Sequence, residues 1–303
     1  MGQSNHLTKV VLNNHNFESI LFERINNKIN NISLKKDLID DPINYSLSNP
    51  GKRVRPLLAY LTADAINLDL MKVDGLAAAI EVMHTFSLVH DDLPCMDDDK
   101  LRRGKPTVHI AFNEANALLG GSSLLIYAFE LLSYDKFKVN NDIKVNLIHM
   151  LSKAIGSDGM LAGQFLDLQA ESQNFYLTLQ KFKRIQEKKT SLLIALCSYV
   201  GAKLGNASKK EISTFYNFGI LLGKIFQIKD DILDLEGSKK NMGKEVRKDK
   251  KLNKATIIRL KNIDYAKNEI IRLGGRAKNE LSKIKKNTRI LNDLVDYLLT
   301  RTN

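Results

Sequence analysis

Apolar residues recur every three or four positions through Leu76–Val89, Ala115–Leu132, Leu192–Leu204 and Phe215–Leu235. That is the period of helices with one face turned inward. Alternating runs bounded by turn residues, the mark of strands, are scarce. The five prolines, Pro42, Pro50, Pro56, Pro94 and Pro106, all fall within the first 106 residues. The rest of the chain therefore meets no proline break. Polar interruptions place breaks at Asn49-Pro50-Gly51, around Pro94 and Gly104, near Tyr134–Asp142, at Gly205-Asn206 and over Gly237–Lys254, where Gly, Pro, Asn and Asp favour turns. The pattern predicts an all-α fold, a single domain of many helices without a Pro-rich or Gly/Ser-rich linker.

Composition narrows the picture. The chain has 303 residues, 44% of them hydrophobic, enough for a sizeable core in one large domain. No apolar run reaches the roughly 18 residues of a membrane-spanning helix. The N-terminal MGQSNHLTKVVLNNHNFES lacks the charged start and long apolar run of a secretory signal. These features predict a soluble, cytoplasmic protein without a membrane span. Cys95 and Cys197 are too few for a disulfide framework or a cysteine zinc site. The net charge of +12 admits a nucleic acid, an acidic membrane or an anionic substrate. No aromatic-interleaved basic patch of the kind that stacks bases accompanies it, and there is no Trp, so no nucleic-acid partner is expected.

Candidate chemistry sits in two acidic clusters. His90-Asp91-Asp92-Leu93-Pro94-Cys95-Met96-Asp97-Asp98-Asp99 places five carboxylates within nine residues, straight after the apolar run Leu76–Val89. Such a concentration of like charge needs either water or cations, and Mg2+ prefers oxygen ligands and bridges carboxylates to phosphates. The second cluster is Phe226-Gln227-Ile228-Lys229-Asp230-Asp231-Ile232-Leu233-Asp234. Asp230 and Asp234 share a helix face at i,i+4, and Gln227 joins it at i−3. Each cluster alone reads more readily as a solvated acidic patch. Two of matching design, each on an apolar helix, are far more specific. Basic residues stand near both: Gly51-Lys52-Arg53-Val54-Arg55-Pro56, Arg102-Arg103, Lys188-Lys189-Thr190 and Lys244. Carboxylates for metal with Arg and Lys for phosphate form the inventory a diphosphate substrate requires. Ser238–Lys254 holds 8 Lys or Arg in 17 residues, either a solvated loop or a lid over an anionic ligand.

These residues resemble the trans-isoprenyl diphosphate synthase (polyprenyl synthetase) family, most closely its bacterial farnesyl diphosphate synthases. Five blocks stand in the family order: GKRVRP (51–56), HDDLPCMDDDKLRRGKPT (90–107), GMLAGQFLDL (159–168), KT (189–190) and FQIKDDILD (226–234), followed by GKEVRKDKKLNKAT (243–256). The resemblance implies a single-domain isoprenoid-synthase helical bundle around a central cavity, spanning 1–303, with a lid-like basic loop at about 237–254. It implies three Mg2+ ions. Asp91, Asp92 and Asp97 would hold two of them on an allylic diphosphate, and Asp230, with Asp231 and Asp234 in support, the third. Arg102, Lys189 and Lys244 would contact the allylic diphosphate, and Lys52, Arg55, His84 and Arg103 isopentenyl diphosphate. Thr190 and Gln227 would turn oxygen dipoles toward the developing carbocation, with Gln164 and Asp167 a polar pair in the same cavity. A homodimer is implied as well. Each role has a plainer rival: His84 could be a core histidine, and Lys52 and Arg53 surface charges.

One turn before Asp91 lie Phe86 and Ser87. The family's bacterial C15 enzymes carry an aromatic at the level of Phe86, together with the Pro94-Cys95 insertion, and the resemblance makes Phe86 a floor that stops elongation. The expected activity is condensation of isopentenyl diphosphate with dimethylallyl and then geranyl diphosphate to give farnesyl diphosphate. A geranylgeranyl diphosphate synthase is the first alternative and a terpene cyclase the second. The GKRVRP block and Arg103 count against the cyclase. A non-catalytic helical subunit should have lost Asp91, Asp92, Asp230 or Lys189, and all are present. The family often has Asp at Ser122, a small residue at Arg247 and Gly at Ala162; none of these departures removes a metal ligand.

Overall fold

The computed structural model describes residues 23–24, 26–27, 39–49, 51–133, 139–171, 176–240 and 255–302, with side chains to 236 in the stretch that ends at 240. The fold is all-α. It divides into two compact units, one within residues 14–148 and the other over His149–Asn303.

The first unit holds α1 (Asp40–Ser48), α2 (Val54–Ala65), α3 (Asp74–Asp91), the short α4 (Val108–Ala111), α5 (Glu114–Ser133) and the start of α6 (Asn141–Ile155). Its core packs Leu57, Leu58 and Tyr60 of α2 with Leu76, Ile80 and Met83 of α3 and Leu124 of α5, each 1% exposed or less. Burial of each such side chain stabilises by about 1.5–3 kcal/mol. The apolar run that predicted Leu76–Val89 becomes α3, whose first residue, Asp74, complements the helix N-terminus. Asp74 also accepts hydrogen bonds from Tyr60 Oη and Arg24 Nε, both at 2.7 Å.

Two features of this unit were not evident from the sequence. A strand pair does form: β1 (Leu101–Arg102) pairs antiparallel with β2 (Lys105–Pro106). Its two-residue turn is Arg103 and Gly104, with φ of 55° and 80°, the left-handed pair that closes tight hairpins. And α5, although interrupted in sequence by Gly120-Gly121-Ser122-Ser123, is 20 residues long and apolar enough to cross a membrane by length and composition, with 33% of its most apolar stretch buried. Its buried stripe is Ala117, Gly120, Gly121, Leu124, Ala128 and Leu132. Leu118, Leu119 and Ile126 on other faces are at least half exposed.

The second unit continues α6 and adds α7 (Met160–Glu171), α8 (Leu179–Gln186), a π-helical turn (Glu187–Ser191), α9 (Leu192–Leu204), α10 (Lys209–Lys240), α11 (Ile257–Leu260), α12 (Ile263–Ser282) and α13 (Arg289–Thr300). Phe215, Phe218 and Ile225 of α10 are buried with Leu196 and Val200 of α9, Leu281 of α12 and Leu294 and Leu298 of α13. Caps match the local sequence: Thr178 accepts from Lys181 N–H at 3.2 Å, and Asn262 from Tyr265 N–H at 2.7 Å. The break expected at Gly237 is absent, because α10 runs on through Lys240. One Gly costs a helix only about 1 kcal/mol, and no proline follows to stop it. Neither cysteine is in a disulfide: Cys95 is exposed, and Cys197 is buried and donates from Sγ to the Leu193 carbonyl at 3.1 Å.

Candidate active site

In the first unit, the first acidic motif and the first basic block converge. α3 ends at Asp91, and the chain turns back so that the Asp97 N–H donates to the Asp91 carbonyl at 2.9 Å. Asp92 is buried, 3% exposed. Arg102, delivered by β1, donates from Nε to Asp92 Oδ1 at 3.0 Å and Oδ2 at 3.2 Å, and its Nη2 pairs with the same carboxylate. Arg102 Nη2 also reaches Asp99 Oδ2 at 3.3 Å. Burial raises the Asp92 pKa, Arg102 opposes the rise, and Asp99 and Asp97 add to it.

The tight turn sends the next residue the other way. The Arg103 guanidinium packs against Gly51 and donates to the Asn49 carbonyl at 3.2 Å, while Asn49 Nδ2 donates to the Arg102 carbonyl at 3.2 Å. Arg55 Nη1 lies 3.0 Å from His84 Nε2. Burial, and then the guanidinium groups of Arg55, Arg103, Arg53 and Arg102, hold the His84 pKa well below its usual value. A neutral His84 therefore accepts from Arg55. Arg53 is no surface charge. It is 7% exposed, donates to Glu81 Oε1 at 2.5 Å and to the Leu47 carbonyl at 2.9 Å, and has a left-handed φ of 48°. Lys52 is half-buried beside it. A cleft lined by Asn49, Thr85, Val89, Asp92, Arg102 and Arg103 opens here. Burial, with Arg53, Arg102 and Arg55 nearby and Glu81 opposing them, lowers the Arg103 pKa. So crowded a set of cations favours an anion.

In the second unit the π-helical turn carries Lys188, Lys189 and Thr190. Such turns widen a helix by one residue and recur at functional sites. α7 approaches it closely: a Cβ on Gly163 would lie 2.2 Å from the Lys189 backbone nitrogen. Only Gly allows that approach. Lys189 Nζ donates to Asp167 Oδ2 at 2.6 Å, and Gln164 beside them is 6% exposed. Thr190, 7% exposed, donates from Oγ1 to Gln227 Oε1 at 2.9 Å.

Gln227 Nε2 donates to Asp231 Oδ1 at 3.3 Å, and the Ile257 N–H donates to Asp231 Oδ2 at 3.4 Å. Burial pushes the Asp231 pKa up to about 7, against these two donors and helped by Asp230 and Asp234. Asp230 pairs instead with Arg301, whose side chain is 2% exposed and lies 4.5 Å over the Phe226 ring. Asp234 is exposed. Arg301 was not foreseen: it stands 71 residues from Asp230 in no motif, and no sequence signal marks it. Lys244 lies outside the described residues.

Among the described residues, no three His, Cys, Asp or Glu side chains form a ready metal cage. Mg2+ is commonly held by one or two carboxylates, water and substrate phosphates rather than by an all-protein cage. The donor set here is all oxygen, and the buried Asp92 and half-buried Asp231 carboxylates, with raised pKa values, would be favoured in charged form by a cation.

An all-α chain that carries the paired-Asp motif twice, each copy with its own Lys and Arg residues, falls in the class of trans-prenyltransferases. The polyprenyl synthetase family model matches residues 36–294, and the chain belongs to that family. It is 38% identical to a farnesyl diphosphate synthase of Bacillus subtilis over 89% of each chain. It is 33% identical to a geranylgeranyl diphosphate synthase of Cyanophora paradoxa, over 97% of this chain and 100% of that one. Among solved structures, a geranyltransferase from Helicobacter pylori complexed with magnesium and isoprenyl diphosphate superposes with a TM-score of 0.80 at 30% identity, covering 99% of this chain and 98% of that one.

Proposed function

We propose that the protein condenses isopentenyl diphosphate with dimethylallyl and then geranyl diphosphate, and releases farnesyl diphosphate. The observation that carries this reading is the gathering of cations in the first unit: Arg53, Arg55, Arg102 and Arg103 all act on His84, and Arg102 and Arg103 line a cleft with Asp92. A terpene cyclase needs no second diphosphate site, whereas a chain-extending enzyme does. In this reading Lys52, Arg55, His84 and Arg103 hold isopentenyl diphosphate, while Arg102, Lys189 and Lys244 hold the allylic diphosphate. Asp91, Asp92 and Asp97 of the first motif, and Asp230 with Asp231 and Asp234 of the second, would hold three Mg2+ ions. When bound, Mg2+ supplies positive charge that stabilises the departing pyrophosphate.

The chain's own groups do the rest. The Thr190 hydroxyl and the Gln227 amide oxygen, already bonded to each other, turn their dipoles toward the allylic cation as it develops. Lys189, freed from Asp167 by an anion, pairs with the leaving group. The basic segment that includes Lys244 excludes water, which would otherwise quench the cation to an alcohol. The proton lost after coupling passes to an oxygen of the released pyrophosphate.

Phe86, 2% exposed, is assigned as the floor that limits the product to C15, with Ser87 beside it. The likeness to a geranylgeranyl diphosphate synthase over 97% of the chain favours C20 as the competing outcome. We assign residues 1–303 to one domain, place the protein in the cytoplasm, and assign the exposed Leu118, Leu119 and Ile126 of α5 to the interface of a homodimer. Ile126→Glu should then give monomers in sedimentation. The central test is incubation with labelled isopentenyl diphosphate, each allylic starter and Mg2+, with products resolved by length. C15 product is expected; allylic diphosphate consumed without uptake of label would overturn the reading.

A further inference from the structure

Phe86 does not stand alone. Its side chain leans on His90, one turn further along α3: the ring centroids are 4.8 Å apart and the planes meet at 70°. This is the edge-to-face contact that aromatic pairs prefer, at the i,i+4 spacing that makes helix neighbours. His90 is in turn anchored to a second helix. Its Nε2 lies 3.1 Å from the Leu118 carbonyl oxygen of α5, which fixes Nε2 as the protonated nitrogen, because a carbonyl can only accept. The ring fills a notch in α5. A Cβ on Gly121 would lie 2.4 Å from both His90 Cδ2 and Nε2, closer than any real contact, so the imidazole occupies the space that any other residue at 121 would claim. Ser87, by contrast, turns its hydroxyl back on its own helix and donates to the His84 carbonyl at 2.9 Å.

A floor under a growing hydrocarbon must resist being pushed aside. A phenyl ring swings about χ1 and χ2, and each added isoprene unit gains free energy by entering apolar space. A ring held only by loose packing would yield some of that space to the chain. Here the edge of Phe86 is blocked by a ring that cannot retreat without losing a hydrogen bond and leaving the α5 notch. We propose that His90, seated against Gly121 and bonded to the Leu118 carbonyl, is a positioning residue that immobilises Phe86 and thereby sets product length. The proposal rests on the assignment of Phe86 as the floor. It adds that product length is written in a contact between α3 and α5 as well as in the identity of the residue at 86.

The test compares four purified full-length variants with the parent: Phe86→Ala, His90→Ala, Gly121→Ala and the double variant Phe86→Ala/Gly121→Ala. The readout is the ratio of C20 to C15 product at equal isopentenyl diphosphate consumption, with the thermal midpoint followed alongside. A ratio at equal turnover is insensitive to the slower rate expected of a change beside Asp91. Gly121→Ala lies on another helix and serves as the independent arm; if it fails to fold, His90→Ala carries the test. Expected are a large rise in the ratio for Phe86→Ala, a smaller rise of several-fold for His90→Ala and Gly121→Ala, and a double variant no different from Phe86→Ala. If Phe86→Ala lengthens the product while the other two only lower the thermal midpoint, the positioning role is wrong and the floor stands. A double variant whose effects add would likewise overturn it, because His90 would then act elsewhere than through Phe86. An unchanged ratio in Phe86→Ala removes the floor and the positioning role together.

Discussion

The two Asp-Asp pairs obey one sequence grammar and are handled in opposite ways. In the first unit the buried Asp92 is matched by Arg102, ten residues on, brought round by a tight turn at Arg103-Gly104. In the second unit Asp230 is matched by Arg301, 71 residues away, and the half-buried Asp231 accepts from the Gln227 amide and the Ile257 N–H, with its pKa pushed up to about 7. The first motif therefore carries its counter-charge within its own block, and the second borrows one from the end of the chain. A charge pair formed locally is available as soon as the hairpin closes. One formed across 71 residues depends on α13 docking against α10, and so reports on the integrity of the whole unit.

Changes at either motif can break or sharpen this contrast. The largest effect is expected from Asp92→Asn, which should lower kcat by about 10²–10³-fold, the scale of losing a preorganised charge in a water-excluded site. Steady-state rates with labelled isopentenyl diphosphate measure it, and a loss below tenfold would count against Asp92 as a ligand. Thr190→Val leaves Gln227 Oε1 without its donor; kcat should fall about tenfold, equivalent to roughly 1.4 kcal/mol, with KM little changed. A rise in KM alone would place Thr190 in binding.

Arg301→Ala tests the long-range pairing. Its Asp230 partner is more than a third exposed, so the loss is about 1–2 kcal/mol, or roughly 4 °C in thermal midpoint. Arg102→Ala should cost the midpoint less while costing activity more. Equal effects from the two would erase the distinction between a local and a borrowed counter-charge. The smallest effect concerns His84. Its folded pKa lies well below the unfolded value of about 6.5, so the unfolded chain gains a proton that the folded site resists. Stability is therefore full above about pH 6.5 and declines as the pH falls below it. Thermal midpoints between pH 7.5 and 5.5 should show the decline, and His84→Gln, which keeps a neutral acceptor for Arg55, should flatten it.

Much of the fold was legible in advance. The apolar period over Leu192–Leu204 coincides with α9, and that over Leu76–Val89 lies within α3, because burial of one face is written directly into spacing. The fold brings Thr190 to Gln227 and Arg55 to His84, residues that their motifs had already singled out. Other features gave only a faint signal or none. Arg103-Gly104 could have marked a two-residue hairpin, but the strands it joins are too short to show alternation. Gly237 looked like an end, yet a helix as long as α10 absorbs one Gly. The run Ala115–Leu132 was legible as a helix and became α5, but the Gly and Ser within it, small residues that let His90 seat closely, masked that its length and composition suffice to cross a membrane.

The sequence alone determined the helical class, the places where acid and base concentrate, and the kinship that names the chemistry. These follow from local period and from residue types at fixed spacing, which need no partner to be read. Only the folded chain decided which charge neutralises which: Arg53 buried on Glu81, Lys189 on Asp167, Arg301 on Asp230. Such choices join residues 22 to 71 positions apart. They are settled by which helices dock and what water they exclude, a property of packing that no single stretch of sequence contains.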